Sequence, residues 1–477
     1  MGDLPASLGE RGRGSQRSGS ERLDAAVHGP VRAFLVLWSV AHLVHAVRYA
    51  DPGSLVAWAM VVSAALVLTS RSAWWVAALI VAQVASTVIE LPAPANHFII
   101  MALANVALAI GMVRGLARRS TPSAGLGSSL STVRAIALLS YAAAALAKLN
   151  AGFFSEESCA ITLLESALRV LVRGQPHLSV QMQTALPWTV AAIEVLVVVL
   201  LLFPRTRIAG VAFAATFHVA IVVSPTARGL GFTPVLLALL WLFLPDAATE
   251  HAKRRLGCVK RVVARASRDV QRLLQVLLLA AIVAVVAGHV PRMIPVGREA
   301  WPIRVVAVVA MFVLIIDACW YCWKHHRRVQ VGLRVRGSGN LMVIGLLVVL
   351  AAAPYLGSRS VAVFTMYSNL QTADQQSNHF LLPRLPVEMS QDDLVTVEAS
   401  SDRRLARLAR GQEQITWHEL RRLAAEAPEA SISYVRGGER HDLDRIADDP
   451  VLASTHPLSH RLIAHRSYVP GRAPCAW

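Results

Sequence analysis

From residue 31 to residue 357 the chain is a succession of apolar stretches separated by short polar loops rich in arginine. A helix that crosses a bilayer needs roughly 17–25 mainly apolar residues. Eleven stretches approach that length: 31–49, 54–70, 73–90, 97–114, 133–149, 187–204, 207–224, 230–245, 271–290, 302–323 and 340–357. The pattern predicts an all-α polytopic membrane bundle of about eleven helices. Beyond residue 357 the pattern changes. Val361-Ala-Val-Phe364 and Leu394-Val-Thr-Val-Glu398 read as strands, and Leu405 to Ala425 is charged and helix-prone. Three regions follow: a basic, disordered tail (1–30) without a signal-peptide cleavage site, a membrane domain (31–357), and a small C-terminal α+β domain (358–477).

Charge orients this arrangement. The chain carries 47 Lys and Arg against 30 Asp and Glu, a net +17 that would also fit a nucleic-acid binder. The basic residues fall in alternate loops, however. Arg71, then Arg114, Arg118, Arg119 and Arg134, then Arg205 and Arg207 lie on one side with the tail. The same side takes the runs from Lys253 to Arg268 and from Lys324 to Arg336, while the opposite loops hold Arg169, Arg173, Arg228, Arg292 and Arg298. By the positive-inside rule the N-terminus is cytoplasmic and, after eleven spans, the C-terminal domain is extracytoplasmic. With 55% hydrophobic and 16% charged residues, against about 25% charged in soluble domains, a soluble globular protein is excluded. The expected setting is the cell membrane, as a multi-pass protein with the lipid bilayer as partner and no nucleic acid.

Ionisable groups inside membrane spans are costly and mark sites or buried networks. Here they gather at the outer ends. His42, His45 and Arg48 close the first stretch, Glu90 closes the third, and Asn96 and His97 open the fourth. Lys148 closes the fifth with Asn150 just beyond it; Glu194 and His218 lie in the sixth and seventh. Each has an ordinary reading: His42 and His45 as interfacial residues bonded to headgroups, Lys148 as a snorkelling side chain, Glu194 and His218 as a mutual pair, Glu90 as a solvated helix end. Together, at one depth, they predict a shared polar cavity. In such a place a lysine amine loses the stabilisation of its charge and becomes a usable base, and a histidine can hydrogen-bond a developing oxyanion.

At these residues the chain resembles a family. Tyr141-Ala-Ala-Ala-Ala-Leu-Ala-Lys148-Leu-Asn150-Ala-Gly-Phe153 is similar to the small-residue helix ending in Lys-Leu-Asn/Asp of the vitamin K-dependent gamma-carboxylases and their bacterial relatives, the horizontally transferred transmembrane (HTTM) proteins. Asn96-His97-Phe98 resembles the family's Asn-Asn-His-Ser-Tyr. Phe364-Thr-Met-Tyr-Ser-Asn369-Leu-Gln-Thr with Ser377-Asn378-His379-Phe-Leu-Leu-Pro383 resembles the Met-Phe-Ser-Asn-Leu…Asn-His-Leu-Leu-Pro segment of bacterial members. The likeness runs over roughly residues 30–400. It implies that Lys148 is the base that deprotonates reduced vitamin K or menaquinol, with His97 supporting it. Oxygen then turns the quinol anion into a strong base, and carbon dioxide adds to the carbanion that base creates. The family's Asn-Asn-His is Ala95-Asn96-His97 here, and the Trp that usually follows Lys-Leu-Asn is missing. A small molecule, a peptide or a lipid all remain open as substrate.

Two further readings stand beside it: an isoprenoid or terpenoid cyclase using the same cavity without carbon dioxide, and a non-enzymatic transporter or membrane module. Asn369, Asn378 and His379 either reach over the cavity mouth or cap turns of the outer domain. Cys319-Trp-Tyr-Cys322 reads as two packed thiols in preference to a redox pair, and Cys159 and Cys475 are candidates for one disulfide. His325 and His326 belong to a basic loop, and no metal site is expected. No P-loop, dinucleotide fingerprint, His-Glu-x-x-His or Gly-x-Ser-x-Gly is present.

Overall fold

A computed structural model describes residue 27 and residues 29–49, 53–172, 178–222, 229–265, 301–329, 331–374, 376–384, 391–453 and 457–475. The membrane part contains α1 (Gly29–Tyr49), α2 (Leu55–Thr69), α3 (Ala73–Ile89), α4 (Asn96–Ala117), α5 (Pro122–Ala147) and α6 (Cys159–Val172). It continues with α7 (Val180–Leu202), α8 (Arg207–Val222), α9 (Gly229–Trp241), α10 (Asp246–Arg265), α11 (Trp301–Lys324) and α12 (Ser338–Ala352). The starts of α2, α3, α5 and α7 are capped by Ser54, Ser72, Thr121 and Ser179, whose hydroxyls accept from first-turn amides.

Ten of the eleven expected stretches coincide with described helices. The expected span at 271–290 lies outside the described residues. Among the described residues five helices (α1, α4, α5, α7 and α11) are long and apolar enough to cross a membrane. A sixth candidate is α9 taken together with the start of α10, bent by 113° between them. The bend has a local cause: at Pro245-Asp246 the chain passes from the apolar α9 to the charged, amphipathic α10. Helices α2, α3, α8 and α12 are apolar but shorter, at 10–17 residues. Two helices of this part were not read from the sequence: α6, whose charged Glu165 and Arg169 make it amphipathic, and α10, whose stretch reads as a basic loop.

The bundle core is built from Phe34 and Trp38 of α1, Met101 and Leu108 of α4, Ile136 of α5 and the nearly all-apolar α9. The C-terminal region has a core of its own. Strands β1 (Leu394–Ser400), β2 (Gln414–Thr416), β3 (Ile432–Arg436) and β4 (Glu439–Leu443) form an antiparallel sheet in the order β2-β1-β3-β4. Helices α13 (Arg403–Gly411) and α14 (Trp417–Ala425) cover it through Leu405, Leu420 and Ala424. Two expectations are corrected. The helix-prone Leu405–Ala425 is two helices separated by β2, because Gln412 takes a left-handed conformation and ends α13. Val361–Phe364 is not a strand: Ala362 and Phe364 have φ of 59° and 61°, incompatible with an extended ladder.

Candidate active site

The C-terminal half of α5 presents a stripe at helical spacing: Ala137, Ser140, Tyr141, Ala144 and Lys148 all line one cavity. Its volume is about 320 Å³, within the range of small-molecule sites. The remaining wall is almost wholly apolar. It comes from α6 (Leu163, Leu164), α7 (Leu186, Val190, Ile193), α8 (Phe217, His218), α9 (Phe232, Thr233) and the irregular segment at Phe364, Met366 and Tyr367.

Lys148 terminates α5 and is 4% exposed, so it does not snorkel. Its ammonium lies 3.0 Å from Glu194 Oε2, a distance for ion pairing but off the line of a hydrogen bond, and donates to the Met366 carbonyl at 3.2 Å. The Phe153 ring centre is 5.8 Å away. Glu194 thus pairs with Lys148 and not with His218. His218 packs edge-on to Tyr141 with ring centres 5.6 Å apart, and it lies within electrostatic range of Lys148 as Tyr141 does of Glu194. Besides Glu194 Oε2, four buried polar atoms of cavity-lining residues have no hydrogen-bond partner among the described residues: Ser140 Oγ, Tyr141 Oη, His218 Nε2 and Thr233 Oγ1. Unsatisfied buried groups cost on the order of 1–3 kcal/mol each, and all four belong to residues that line the same cavity.

The remaining expected site residues fall into two other groups. His42, His45 and His97 are interior, at 0%, 1% and 3% exposure, and are not interfacial headgroup ligands. His42 Nδ1 bonds the Trp38 carbonyl at 2.6 Å, and its Nε2 meets Asn105, which also bonds Trp38 and Gln83. This network ties α1, α3 and α4 together. His45 and His97 pack edge-on at 5.2 Å beside Phe98. The structure therefore puts His218, not His97, beside Lys148; His97 sits one turn before Ile100, which does reach the cavity. Asn96 acts on the wall indirectly, accepting from the Phe364 amide at 3.2 Å. Glu90 is exposed at the end of α3.

Asn150, Asn369, Asn378 and His379 form the third group, and they hold the segment that covers Lys148. Asn150 donates to the carbonyls of Ala147 and Ser368 and accepts from Phe153 N. Asn378 donates to Asn150 Oδ1 and the Asn369 carbonyl. Asn369 accepts from Cys159 N and donates to the carbonyls of Glu157 and Ala473. His379 Nδ1 accepts from the amides of Leu381 and Leu382, leaving Nε2–H to donate to the Leu146 carbonyl at 2.8 Å. Apart from the Asn378–Asn150 bond, these side chains are spent on backbone, and what they deliver to Lys148 is the Met366 carbonyl. A Cβ at Gly152 would lie 2.6 Å from Ala473 Cβ and 2.9 Å from Asn369 O, so glycine is required where the strap crosses. Cys159 and Cys475 are joined by a disulfide at the same place.

Sequence reasoning missed Ser140, Tyr141, Thr233 and the whole of α6 as site components. Tyr141 and Ser140 carry a usable signal, seven and eight residues before Lys148 on one helix face; Thr233 does not. Among the described residues no three His, Cys, Asp or Glu side chains converge as for a metal ion. No family model, no curated protein and no solved structure matches the chain.

Proposed function

We propose that this is a membrane-embedded enzyme of the gamma-carboxylase-like, HTTM-related class, acting on a quinol or other isoprenoid lipid. The observation that carries the reading is the buried Lys148–Glu194 pair on the wall of an otherwise apolar cavity, beside polar atoms left without partners. Aliphatic and aromatic walls suit an isoprenoid chain. Tyr141 Oη and His218 Nε2 suit the hydroxyl or carbonyl groups of a quinol ring. In low dielectric, a rotation that brings Glu194 Oε2 onto the line of a Lys148 N–H lets one proton pass from Lys148 to Glu194 without changing net charge, which frees the amine as a base. Lys148 Nζ then takes the substrate hydroxyl proton, and His218 or Tyr141 holds the oxygen that becomes negative. A bound quinol would supply reactivity toward oxygen; the chain supplies the base, the orientation and a dry site.

The eleven-span topology belongs to the same proposal, with the Lys148 end outside. A disulfide at Cys159–Cys475 suits an oxidising compartment, whereas Cys319 and Cys322 are free thiols near the end of α11. Arg114, Arg134 and Arg207 all donate to backbone carbonyls between residues 331 and 336, so the basic loops gather at one end of the bundle.

The test is purified protein with reduced menaquinone under oxygen, read by mass spectrometry for the quinone epoxide. Product from the wild type and none from a folded Lys148→Ala variant supports the reading; equal product from both overturns it. A second reading has its own observation: Phe153, Phe217, Phe232 and Phe364 line the cavity, and aromatic faces stabilise carbocations, as an isoprenoid cyclase needs. Turnover of a polyprenyl substrate independent of oxygen and carbon dioxide would select it.

A further inference from the structure

A second large cavity, of about 630 Å³, lies toward the opposite end of α5. Its walls are the last turn of α4, the first half of α5 and residues 332–337 ahead of α12. Five arginines line it, Arg114, Arg118, Arg134, Arg334 and Arg336, together with Ser131. Among the described residues none of the five makes an ion pair with a carboxylate. Five like charges around one pocket repel, and repulsion is least screened where one side borders lipid.

Two of the arginines are held in place. Arg114 Nη1 donates to the Arg336 carbonyl at 3.1 Å. Arg134 donates through Nε to the Leu242 carbonyl at 2.7 Å and through Nη1 to the Gly332 carbonyl at 3.1 Å. Each guanidinium has five N–H donors, so most stay available. Gly337 makes the approach possible: its φ is +86°, and a Cβ would lie 2.3 Å from the Arg114 nitrogens. Gly337 also caps α12 without any side-chain hydrogen bond, which leaves first-turn amides at the cavity edge.

We propose that this pocket binds a phosphate-bearing anion. Depth argues for the headgroup of an acidic phospholipid: Arg114 is in the last turn of α4, a 22-residue helix long enough to cross the bilayer, so the pocket lies where hydrocarbon ends. A soluble di- or polyphosphate shares the chemistry. The assignment is independent of what the Lys148 cavity does.

The full chain, stripped of native lipid in detergent, is titrated with cardiolipin, with phosphatidylcholine and with inorganic pyrophosphate. Adducts are read by native mass spectrometry and by the shift in unfolding temperature. Cardiolipin should bind and stabilise the wild type, and phosphatidylcholine should not. Arg334→Gln/Arg336→Gln, at exposed positions outside any helix, should weaken binding at least tenfold; Gly337→Ala should weaken it with every charge retained. Arg403→Gln/Arg407→Gln, removing equal charge from exposed positions on α13, is the control. Pyrophosphate binding with the same variant dependence supports the pocket and assigns it a soluble phosphate. Equal binding by wild type and the Arg334/Arg336 variant, or equal loss in the control, overturns the proposal.

Discussion

The Lys148 ammonium and the Glu194 carboxylate stand 3.0 Å apart with 5% and 10% of their side chains exposed, one at the end of α5 and the other in the middle of α7. Each would be an uncompensated charge in apolar surroundings without the other. Removal of one partner from such a pair typically costs about 3–5 kcal/mol, whereas replacing both with apolar groups of similar size is close to neutral. Lys148→Met and Glu194→Met should therefore each lower thermal stability markedly in detergent. The double variant should recover most of the loss. Additive losses would show that the two groups are stabilised separately.

The strap over Lys148 is pinned by amide side chains, while Phe364 and Tyr367 anchor it in apolar clusters. Asn378→Ala removes bonds to Asn150, to the Asn369 carbonyl and from the Gln371 amide. At about 1 kcal/mol each, the loss is roughly 2–3 kcal/mol. Hydrogen exchange should quicken in residues 366–379 while α1 and α4 keep their protection. Uniform quickening throughout the chain would contradict a local clamp.

Cys475→Ser should release the C-terminal residues from the start of α6. A disulfide closing a long loop contributes about 2–4 kcal/mol. Peptide mapping without reductant should recover the peptides containing Cys159 and Cys475 joined, and the unfolding temperature of the wild type should fall on reduction to that of the variant. Two separate peptides would disprove the link.

Acid should weaken the C-terminal domain. Burial, followed by the charges of His418, Arg384 and Arg359, lowers the His465 pKa to about 3, with Asp392 acting the other way. The folded state thus binds its proton later than the unfolded chain, whose imidazole titrates near 6.5. Stability is complete above pH 6.5 and declines toward pH 3, by at most about 1.4 kcal/mol per pH unit. His418 and His460, also lowered, act in the same direction. His465→Asn should flatten the decline in unfolding experiments between pH 6.5 and 4; an unchanged slope would place the acid sensitivity elsewhere.

Hydrophobic runs located α1 to α5, α7 to α9, α11 and α12 to within a few residues at most ends, because a span announces itself by length and apolarity. The starts of α5 and α7 are exceptions: Gly125, Ser128 and Ser129 conceal the first eleven residues of α5, and Gln181, Gln183 and Thr184 the first seven of α7. Helix α6 escaped because a short amphipathic helix against a cavity has no such length. The site was half legible. Lys148, Glu194 and His218 stood out as charges in the wrong solvent. Which histidine meets the lysine could not be read, since that depends on how α4 and α8 are rotated about their axes. Asn150, Asn369 and Asn378 were recognisable as unusual, but their work on backbone atoms is set by partners up to 218 positions away.

Helix α7 carries Glu194 inward, yet 28% of its apolar stretch is buried in protein. The wall that fixes one half of the charge pair is thus also a surface on which lipid presses. On the proposed function, membrane thickness and lateral pressure would become inputs to the distance between acid and base. The chemistry proposed for the cavity would in that sense be tuned from the bilayer side, and a detergent belt would be a different tuning from the native membrane.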